Sequence, residues 1–81
     1  MVVSVVAFAR LRELLGFSQC EFDLPEGARV DDAWNVLATG VPAIADLRAS
    51  TRIACNGGLT EGARALHDGD ELALLPPVGG G

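Results

Sequence analysis

The order of apolar and polar positions along the chain predicts alternating strands and helices. A run rich in valine, from Val2 to Phe8, predicts a first strand that is buried on at least one face. Leu11, Leu14 and Leu15 then recur at i, i+3 and i+4, which predicts a short amphipathic helix. Gly16 follows where a left-handed helix C-cap would lie. The chain therefore opens as a strand followed by a short helix.

The middle of the chain carries one period-two segment and one helical segment. Cys20, Phe22 and Leu24 alternate with polar residues, which predicts a half-buried strand, and Pro25-Glu26-Gly27 ends it as a turn. The next segment predicts the principal helix, with Asp31 or Asp32 as its N-cap. Its apolar residues fall on one face: Val30, Ala33, Trp34, Leu37 and Ala38. Gly40 and Pro42 mark its end.

Two further strands are predicted in the last third of the chain. The first is Arg52 to Asn56, which runs into a Gly57-Gly58 turn after a loop, residues 41–49, that contains one helical turn. The second is Glu71 to Leu75, preceded by a tight turn. The order strand, short helix, strand, main helix, strand, strand is that of an α+β, β-grasp (ubiquitin-like) fold. It predicts a mixed sheet of four to five strands packed on one main helix, with the first and last strands parallel. A ferredoxin-like fold would need a second long helix before the last strand, for which residues 60–67 are too short.

The C-terminus is the most unusual part of the sequence. Proline donates no amide hydrogen to a sheet, so Pro76 and Pro77 end the last strand and favour an extended exit from the fold. Val78 and three glycines follow. We predict a β-grasp domain over residues 1–75 and an extended tail over residues 76–81. By itself a glycine-rich terminus is also typical of a frayed end. A slender tail of this kind can enter a narrow cleft with its carboxylate leading.

Composition and charge narrow the classes of function. Eleven acidic residues against six basic ones give a formal net charge of −5, which disfavours nucleic acid and favours a basic protein partner. No segment is long and apolar enough to span a bilayer, so we expect a cytoplasmic protein without a membrane partner. Cys20 and Cys55 fit no zinc or redox spacing, and the acidic residues beside His67 flank a turn. We therefore expect no metal site.

The chain contains no lysine, because all six basic residues are arginine. An arginine-rich and alanine-rich composition bias explains this observation most simply. The absence of lysine has a chemical consequence whatever its origin. An activated C-terminus on this chain would find no ε-amino group on a sister chain, so lysine-linked chains of this protein cannot form.

Three blocks of the sequence together resemble a known family. They are residues 8–16 (FARLRELLG), Cys55-Asn56, and residues 68–78 (DGDELALLPPV) followed by glycines. In these blocks the chain resembles the MoaD family, the ubiquitin-like sulfur-carrier small subunits of molybdopterin synthase. The likeness covers the whole chain in order and length. The C-terminal block is its most specific part.

The resemblance implies a role for the terminal glycine. Gly81 would be adenylylated by a ubiquitin-activating-like adenylyltransferase that uses ATP, and a sulfur donor would convert it to a thiocarboxylate. Gly79 and Gly80 would thread the partner's active site. The large synthase subunit, in a two-by-two heterotetramer, would hold the catalytic groups while this chain donates sulfur to the pterin precursor and binds no cofactor itself. Apolar positions near the tail would dock the partners: Phe8, Leu59, Leu75, Pro76, Pro77 and Val78.

One position departs from the family pattern. Gly79 stands where the family commonly has serine or threonine. Two other functions stay open at this point. One is a sulfur carrier for thiazole or cysteine synthesis, whose known members usually lack the PPV block. The other is a ubiquitin-like protein modifier, whose tail would form an isopeptide bond.

Overall fold

A computed structural model describes residues 1–77, so Val78, Gly79, Gly80 and Gly81 lie outside the described residues. The chain alternates strands and helices in the predicted order, with a short 3-10 helix at Pro42–Leu47. The elements are β1 (Val2–Ala7), α1 (Ala9–Leu15), β2 (Gln19–Asp23), α2 (Val30–Gly40), β3 (Arg52–Cys55), β4 (Gly58–Leu59) and β5 (Glu71–Leu75).

The strands form one mixed sheet in the order β2-β1-β5-β3-β4. β1 and β5 are parallel, with Val5 opposite Leu72 and Ala7 opposite Leu74, while the other pairs are antiparallel. The predicted β-grasp architecture, with parallel first and last strands at its centre, is therefore confirmed. Because β1 and β5 run in the same direction, both leave the sheet at the same end.

The core lies between the inner face of the sheet and α2. Alternate residues of each strand point to this face, as period-two packing requires. Trp34 and Leu37 of α2 are buried against it, and Ile44 of the 3-10 helix is fully buried. Strand residues that complete the core are Val3, Val5, Ala7, Ile53, Cys55, Leu72 and Leu74. The helical face predicted from the sequence is the buried face of α2, although Ala38 is only half-buried.

Several predicted boundaries were wrong by one to three residues. Phe8 does not belong to β1; it is the extended N-cap residue of α1 (φ −125°, ψ 157°). Neither Asp31 nor Asp32 caps α2, because Arg29 is its N-cap residue. Asp32 lies one turn further on, and its Oδ2 accepts a hydrogen bond from the Arg29 amide at 2.8 Å. That bond still satisfies an amide that the helix would otherwise leave unpaired. Gly58 begins β4 rather than completing the turn.

Candidate functional site: the tail root and the outer face of the sheet

The root of the tail is the place where the two central strands leave the sheet. Phe8 follows β1 and Pro76-Pro77 follow β5, and these residues line a common cavity of about 190 Å³ with Leu11, Leu47 and Thr51. Phe8 is 44% exposed, which is unusual for so large an apolar side chain. The predicted docking residues Phe8, Pro76 and Pro77 are thus brought together, while Val78 and the glycines lie outside the described residues.

A left-handed residue makes the corner between β1 and α1. Ala9 has a φ of 51°, a conformation that costs an L-residue about 1–2 kcal/mol. At the other end of α1, Gly16 takes the left-handed C-cap (φ 82°) and donates its amide to the Arg12 carbonyl at 3.0 Å. Strain of this kind persists only where the surrounding structure holds it. Here it turns the chain sharply enough to place α1 beside the tail root.

The outer face of the sheet carries a row of small and apolar side chains. The strand register places Val6 of β1 next to Ala73 of β5, Ala73 next to Ala54 of β3, and Ala54 next to Leu59 of β4. Leu59 is 58% exposed. Leu75 lies on the same face, half-buried and opposite Arg52. The row links the predicted docking residue Leu59 to the strand from which the tail leaves.

The sequence reasoning missed Val6, Ala54 and Ala73 as members of this surface. Each belongs to a strand whose apolar residues predict burial. Only the pairing of four strands shows that these three side chains form one continuous row. Strand register follows from the whole sheet rather than from local pattern, and a shift by one residue would send the row to the other face. We define the outer row as Val6, Ala73, Ala54 and Leu59.

A buried carboxylate fixes the two turns at the far end of the sheet. Asp70 is 8% exposed; its Oδ1 accepts a hydrogen bond from Asn56 Nδ2 at 2.9 Å and its Oδ2 accepts one from the His67 amide at 2.8 Å. Asn56 Oδ1 in turn accepts one from the Glu71 amide at 2.9 Å. The bond from Asn56, followed by that from His67, holds the pKa of Asp70 below its usual value.

This network joins the turn before β5 to the turn between β3 and β4. Asn56 adopts the left-handed conformation (φ 52°) that the turn into β4 requires. Beneath it, burial raises the pKa of the Cys55 thiol, and the charge of Asp70 raises it further. Cys55 therefore stays a neutral thiol, which disfavours a nucleophilic role. Since Leu59 lies directly after this turn, the network also positions one end of the outer row.

A larger groove of about 610 Å³ lies elsewhere, beside the exposed side of α2, with Leu24, Glu26 and Val36 among its lining residues. It belongs to the end of the sheet where β1 begins, because Leu24 donates its amide to the Met1 carbonyl. The groove is open and far from the tail root, so we assign it no role in the site. Across residues 1–77, no group of three or more His, Cys, Asp or Glu side chains could hold a metal ion. In the same part of the chain, no helix has the length and apolar character to cross a membrane.

A family model and two relatives of known name match this chain over nearly its full length. The model of the ThiS family matches residues 5–81. Over 83 residues the chain is 32% identical to the molybdopterin synthase sulfur carrier subunit of Chlamydomonas reinhardtii, covering 100% of both chains. It is 30% identical to the subunit of the same name from Arabidopsis thaliana, covering 98% of this chain and 82% of the relative.

Solved structures with the same fold include two kinds of protein. SAMP1 from Haloferax volcanii superposes with a TM-score of 0.87 at 30% identity, over 100% of both chains. A chain from the complex of subunits 1 and 2 of the molybdopterin-converting factor of Helicobacter pylori gives a TM-score of 0.71 at 23% identity, again over 100% of both chains. At that identity the second likeness shows the fold alone.

Proposed function

The chain belongs to the ThiS family, and we propose that within it the protein is the sulfur-carrier small subunit of a molybdopterin synthase. The observation that carries this proposal is similarity along the full length to two sulfur carrier subunits of that enzyme. The position of Pro76 and Pro77 supports it, since they leave the fold beside exposed Phe8. A carrier needs a stable body, a docking surface and a terminus free to enter another protein's active site.

The chemistry resides at the C-terminal carboxylate of Gly81. In the activating partner, a carboxylate oxygen bonds to the α-phosphorus of ATP and pyrophosphate leaves. A sulfur nucleophile at the oxidation level of sulfide then bonds to the carbonyl carbon, and AMP leaves with the electrons of the C–O bond. The product is a thiocarboxylate. Activation is necessary because a terminal carboxylate, with a pKa of about 3.3–3.7, is an anion at neutral pH and a poor acyl electrophile.

Sulfur transfer then takes place in the large subunit of the synthase. The thiocarboxylate sulfur bonds to a carbon of the pterin precursor, and an oxygen substituent leaves that carbon with the electrons of its C–O bond. Water then cleaves the resulting thioester. The sulfur stays on the precursor and Gly81 returns to its carboxylate, so the carrier is reusable. Two such donations complete the dithiolene of one molybdopterin. The carrier supplies no acid or base in this sequence, and the large subunit provides the catalytic groups.

The outer row and Phe8 form the docking surface for both partners. Apolar residues that lie together on the outside of a small protein are typical of a partner-binding surface, although within the outer row Val6 and Ala73 are half-buried and Ala54 is buried. Leu59 at one end and Phe8 near the tail are the exposed large side chains of this surface. The Helicobacter complex holds its subunit 1 together with subunit 2, and we extend that arrangement to this chain as part of the proposal.

A protein-modifier function is the second candidate. It is favoured by one observation, the likeness to SAMP1, whose counterpart structure names it a small archaeal modifier protein. In that case the activated Gly81 would form an amide with a lysine of a target protein. The two functions share the adenylate and differ in the nucleophile that captures it, so the product distinguishes them.

Intact-mass analysis tests the proposal. The chain is incubated with an adenylyltransferase that activates molybdopterin synthase small subunits, ATP and a sulfur donor. We expect a gain of about 16 Da, from one oxygen replaced by sulfur, located at Gly81 by fragmentation. The chain lacking Gly81 is the matched control and should gain nothing. No gain by the intact chain, with an enzyme that thiolates its own carrier in the same reaction, would refute the sulfur-carrier function.

Reconstitution with a partner separates this pathway from its alternatives. The thiocarboxylated chain is mixed with the large subunit of molybdopterin synthase and the pterin precursor. Formation of molybdopterin supports the proposal. A chain that gains sulfur but yields no molybdopterin with a competent large subunit would point to thiazole or cysteine synthesis. Amide adducts on lysines of other proteins, without thiocarboxylate, would instead establish the modifier function.

A further inference from the structure

Strand β2 is an edge of the sheet, with hydrogen-bonding groups directed away from the fold along one side. Within residues 1–77 it pairs with β1 alone. At one end of this pair the Leu24 amide donates to the Met1 carbonyl at 2.8 Å, and at the other the Ala7 amide donates to the Ser18 carbonyl at 2.9 Å. Alternate residues of an antiparallel strand bond to the same neighbour. The residues whose amides and carbonyls point away from β1 are therefore Gln19, Glu21 and Asp23.

The edge is regular enough to accept a further strand. The five residues of β2 pair with β1 in unbroken register, and none of them is proline. Bulges and prolines are devices that block an edge, and β2 has neither. An extended segment of another protein can add to such an edge through main-chain hydrogen bonds, while its alternate side chains supply specificity.

The two faces of this edge differ in polarity. Phe22 packs against the core and lies beside Phe17, with ring centroids 6.0 Å apart, so the inner face is apolar. Glu21 and Asp23 flank Phe22 in the strand and point to the outer face, where both are exposed. A strand added here would place one set of side chains beside Phe22 and the other beside two carboxylates. The best complement is a segment in which apolar and basic residues alternate.

The groove beside α2 continues the same chemistry. Leu24 follows β2 directly and lines this groove of about 610 Å³ together with Val36, which is 47% exposed. Glu26 and Asp32 also line it, and both are exposed. A segment that passes the end of β2 can therefore bury an apolar side chain against Val36 and keep a basic one beside a carboxylate.

Charge selects the kind of occupant. Asp23 and Glu26 lie 3.3 and 3.9 Å from the Met1 amine, whereas Glu21 and Asp32 form no ion pair within residues 1–77. Opposite charge therefore favours a basic partner. The same carboxylates oppose a second copy of this chain, because pairing β2 with β2 would bring like charges together across the two strands.

We propose that β2 and the adjoining groove bind an extended segment of a basic partner protein, in which apolar and basic residues alternate. Its backbone pairs with Glu21 and Asp23, its basic side chains contact their carboxylates, and its apolar side chains pack beside Phe22 and in the groove. Leu59 of β4 lies four strand spacings away, about 19 Å, so this partner can be held while Leu59 and the tail root engage another protein. The inference does not depend on the sulfur-carrier function.

Amide hydrogen exchange, followed by NMR on the full chain, tests the proposal. The probe is a blocked peptide of about seven residues in which valine and lysine alternate; at about 3.3 Å per residue it covers β2 and reaches the groove. With up to about 1 mM peptide, we expect the Glu21 and Asp23 amides to exchange at least tenfold more slowly than in the free chain. The Phe22 amide, which is directed at β1, should change less than twofold. The same peptide with glutamate in place of lysine should protect neither edge amide.

Two matched variants and two modified peptides make the test specific. Glu21→Lys should weaken peptide binding at least fivefold in an NMR titration. Glu13→Lys, at an exposed residue of α1, changes the net charge equally and should weaken binding less than twofold at about 0.15 M salt. Val36→Ser should weaken binding at least threefold. Peptides N-methylated on the valines or on the lysines remove each set of backbone donors in turn, and one of the two should fail to bind.

Native-like circular dichroism of each variant establishes that it is folded. The inference would be overturned if the native chain showed no protection at the highest peptide concentration. Equal losses for Glu21→Lys and Glu13→Lys would overturn it as well, since they would show attraction to the net charge alone. So would binding of both N-methylated peptides as tightly as the parent, or protection of the Glu21 amide that rises with the concentration of the free chain, which would make the occupant a second copy. None of these results would bear on sulfur transfer from Gly81, which the mass analysis tests separately.

Discussion

Replacing Asp70 should destabilise the fold far more than replacing its neighbour Asp68. Asp70 is nearly buried and accepts two hydrogen bonds, from Asn56 and the His67 amide. Hydrogen bonds to a charged group contribute about 1.5–3 kcal/mol each, and the slight exposure of Asp70 favours the lower end. We expect Asp70→Ala to lower the free energy of unfolding by about 3 kcal/mol. Asp68 is exposed and accepts one bond, from the Val2 amide at 2.6 Å, so Asp68→Ala should cost about 1 kcal/mol or less.

The pH dependence of this effect has a definite sign. The hydrogen bond from Asn56 and that from His67 hold the folded-state pKa of Asp70 below its unfolded-state value of about 3.9. The unfolded state therefore takes up a proton before the folded state does. The stability that Asp70 contributes is fully present well above the unfolded-state pKa and is lost as pH falls through the depressed folded-state pKa. The stability difference between the native chain and Asp70→Asn should accordingly be constant from pH 7 to pH 5 and shrink toward pH 2.

Urea unfolding followed by circular dichroism measures both effects. The native chain and the variants Asp70→Ala, Asp70→Asn and Asp68→Ala are compared at pH 7. The native chain and Asp70→Asn are also compared between pH 7 and pH 2. Equal costs for the two alanine variants would refute the assignment of Asp70 as the anchor of the two turns. A difference between native and Asp70→Asn that does not shrink in acid would refute the reasoning from the charged hydrogen bonds.

Three smaller predictions concern the docking surface, the strained corner and the tail. Leu59→Ser should weaken binding to the large subunit at least tenfold, measured by calorimetry, whereas Val36→Ser, at a 47% exposed residue of α2, should not weaken it. Equal effects of the two substitutions would contradict the proposed docking surface. Ala9→Gly should stabilise the protein by up to about 1 kcal/mol in urea unfolding because it removes the strain of a left-handed alanine, while Ala38→Gly in α2 should cost about 1 kcal/mol. A similar loss of stability in both variants would contradict the strain at Ala9. Gly79→Ser should leave sulfur transfer intact, or tighten docking by about 0.5 kcal/mol, since it lowers the entropy of the free tail; loss of transfer would contradict this expectation.

The elements of this fold were predictable because local pattern and tertiary structure agree. The end of α1 and both bounds of β5 were predicted to the residue, since Gly16 ends the helix and Pro76 ends the strand. The N-terminus of α2 was not predicted to the residue, because the sequence offers two aspartates as N-caps. In the structure Arg29 is the N-cap residue, and Asp32, one turn inside the helix, accepts a hydrogen bond from its amide. Phe8 likewise reads as the last residue of a strand. In the structure it is instead the extended N-cap residue of α1, and the left-handed Ala9 follows it.

Only part of the candidate site was predicted, and that prediction did not come from local sequence pattern. Phe8, Leu59 and Leu75 came from resemblance to a family, and no pattern within the sequence singles them out. The structure shows where they lie, and their roles stay predictions. Val6, Ala54 and Ala73 join that surface through strand register, which depends on long-range pairing.

The central claim is that the sulfur atom carried on Gly81 is the atom that the product receives. A single-turnover reaction tests it most directly, with the chain bearing an isotopically labelled sulfur in its thiocarboxylate, the large subunit, the pterin precursor and unlabelled sulfide in excess. We predict that the label appears in molybdopterin, that each chain loses about 18 Da as an oxygen replaces a sulfur-34 label, and that two chains are consumed per molybdopterin. Molybdopterin formed with unlabelled sulfur, while the chain keeps its label, would contradict the account.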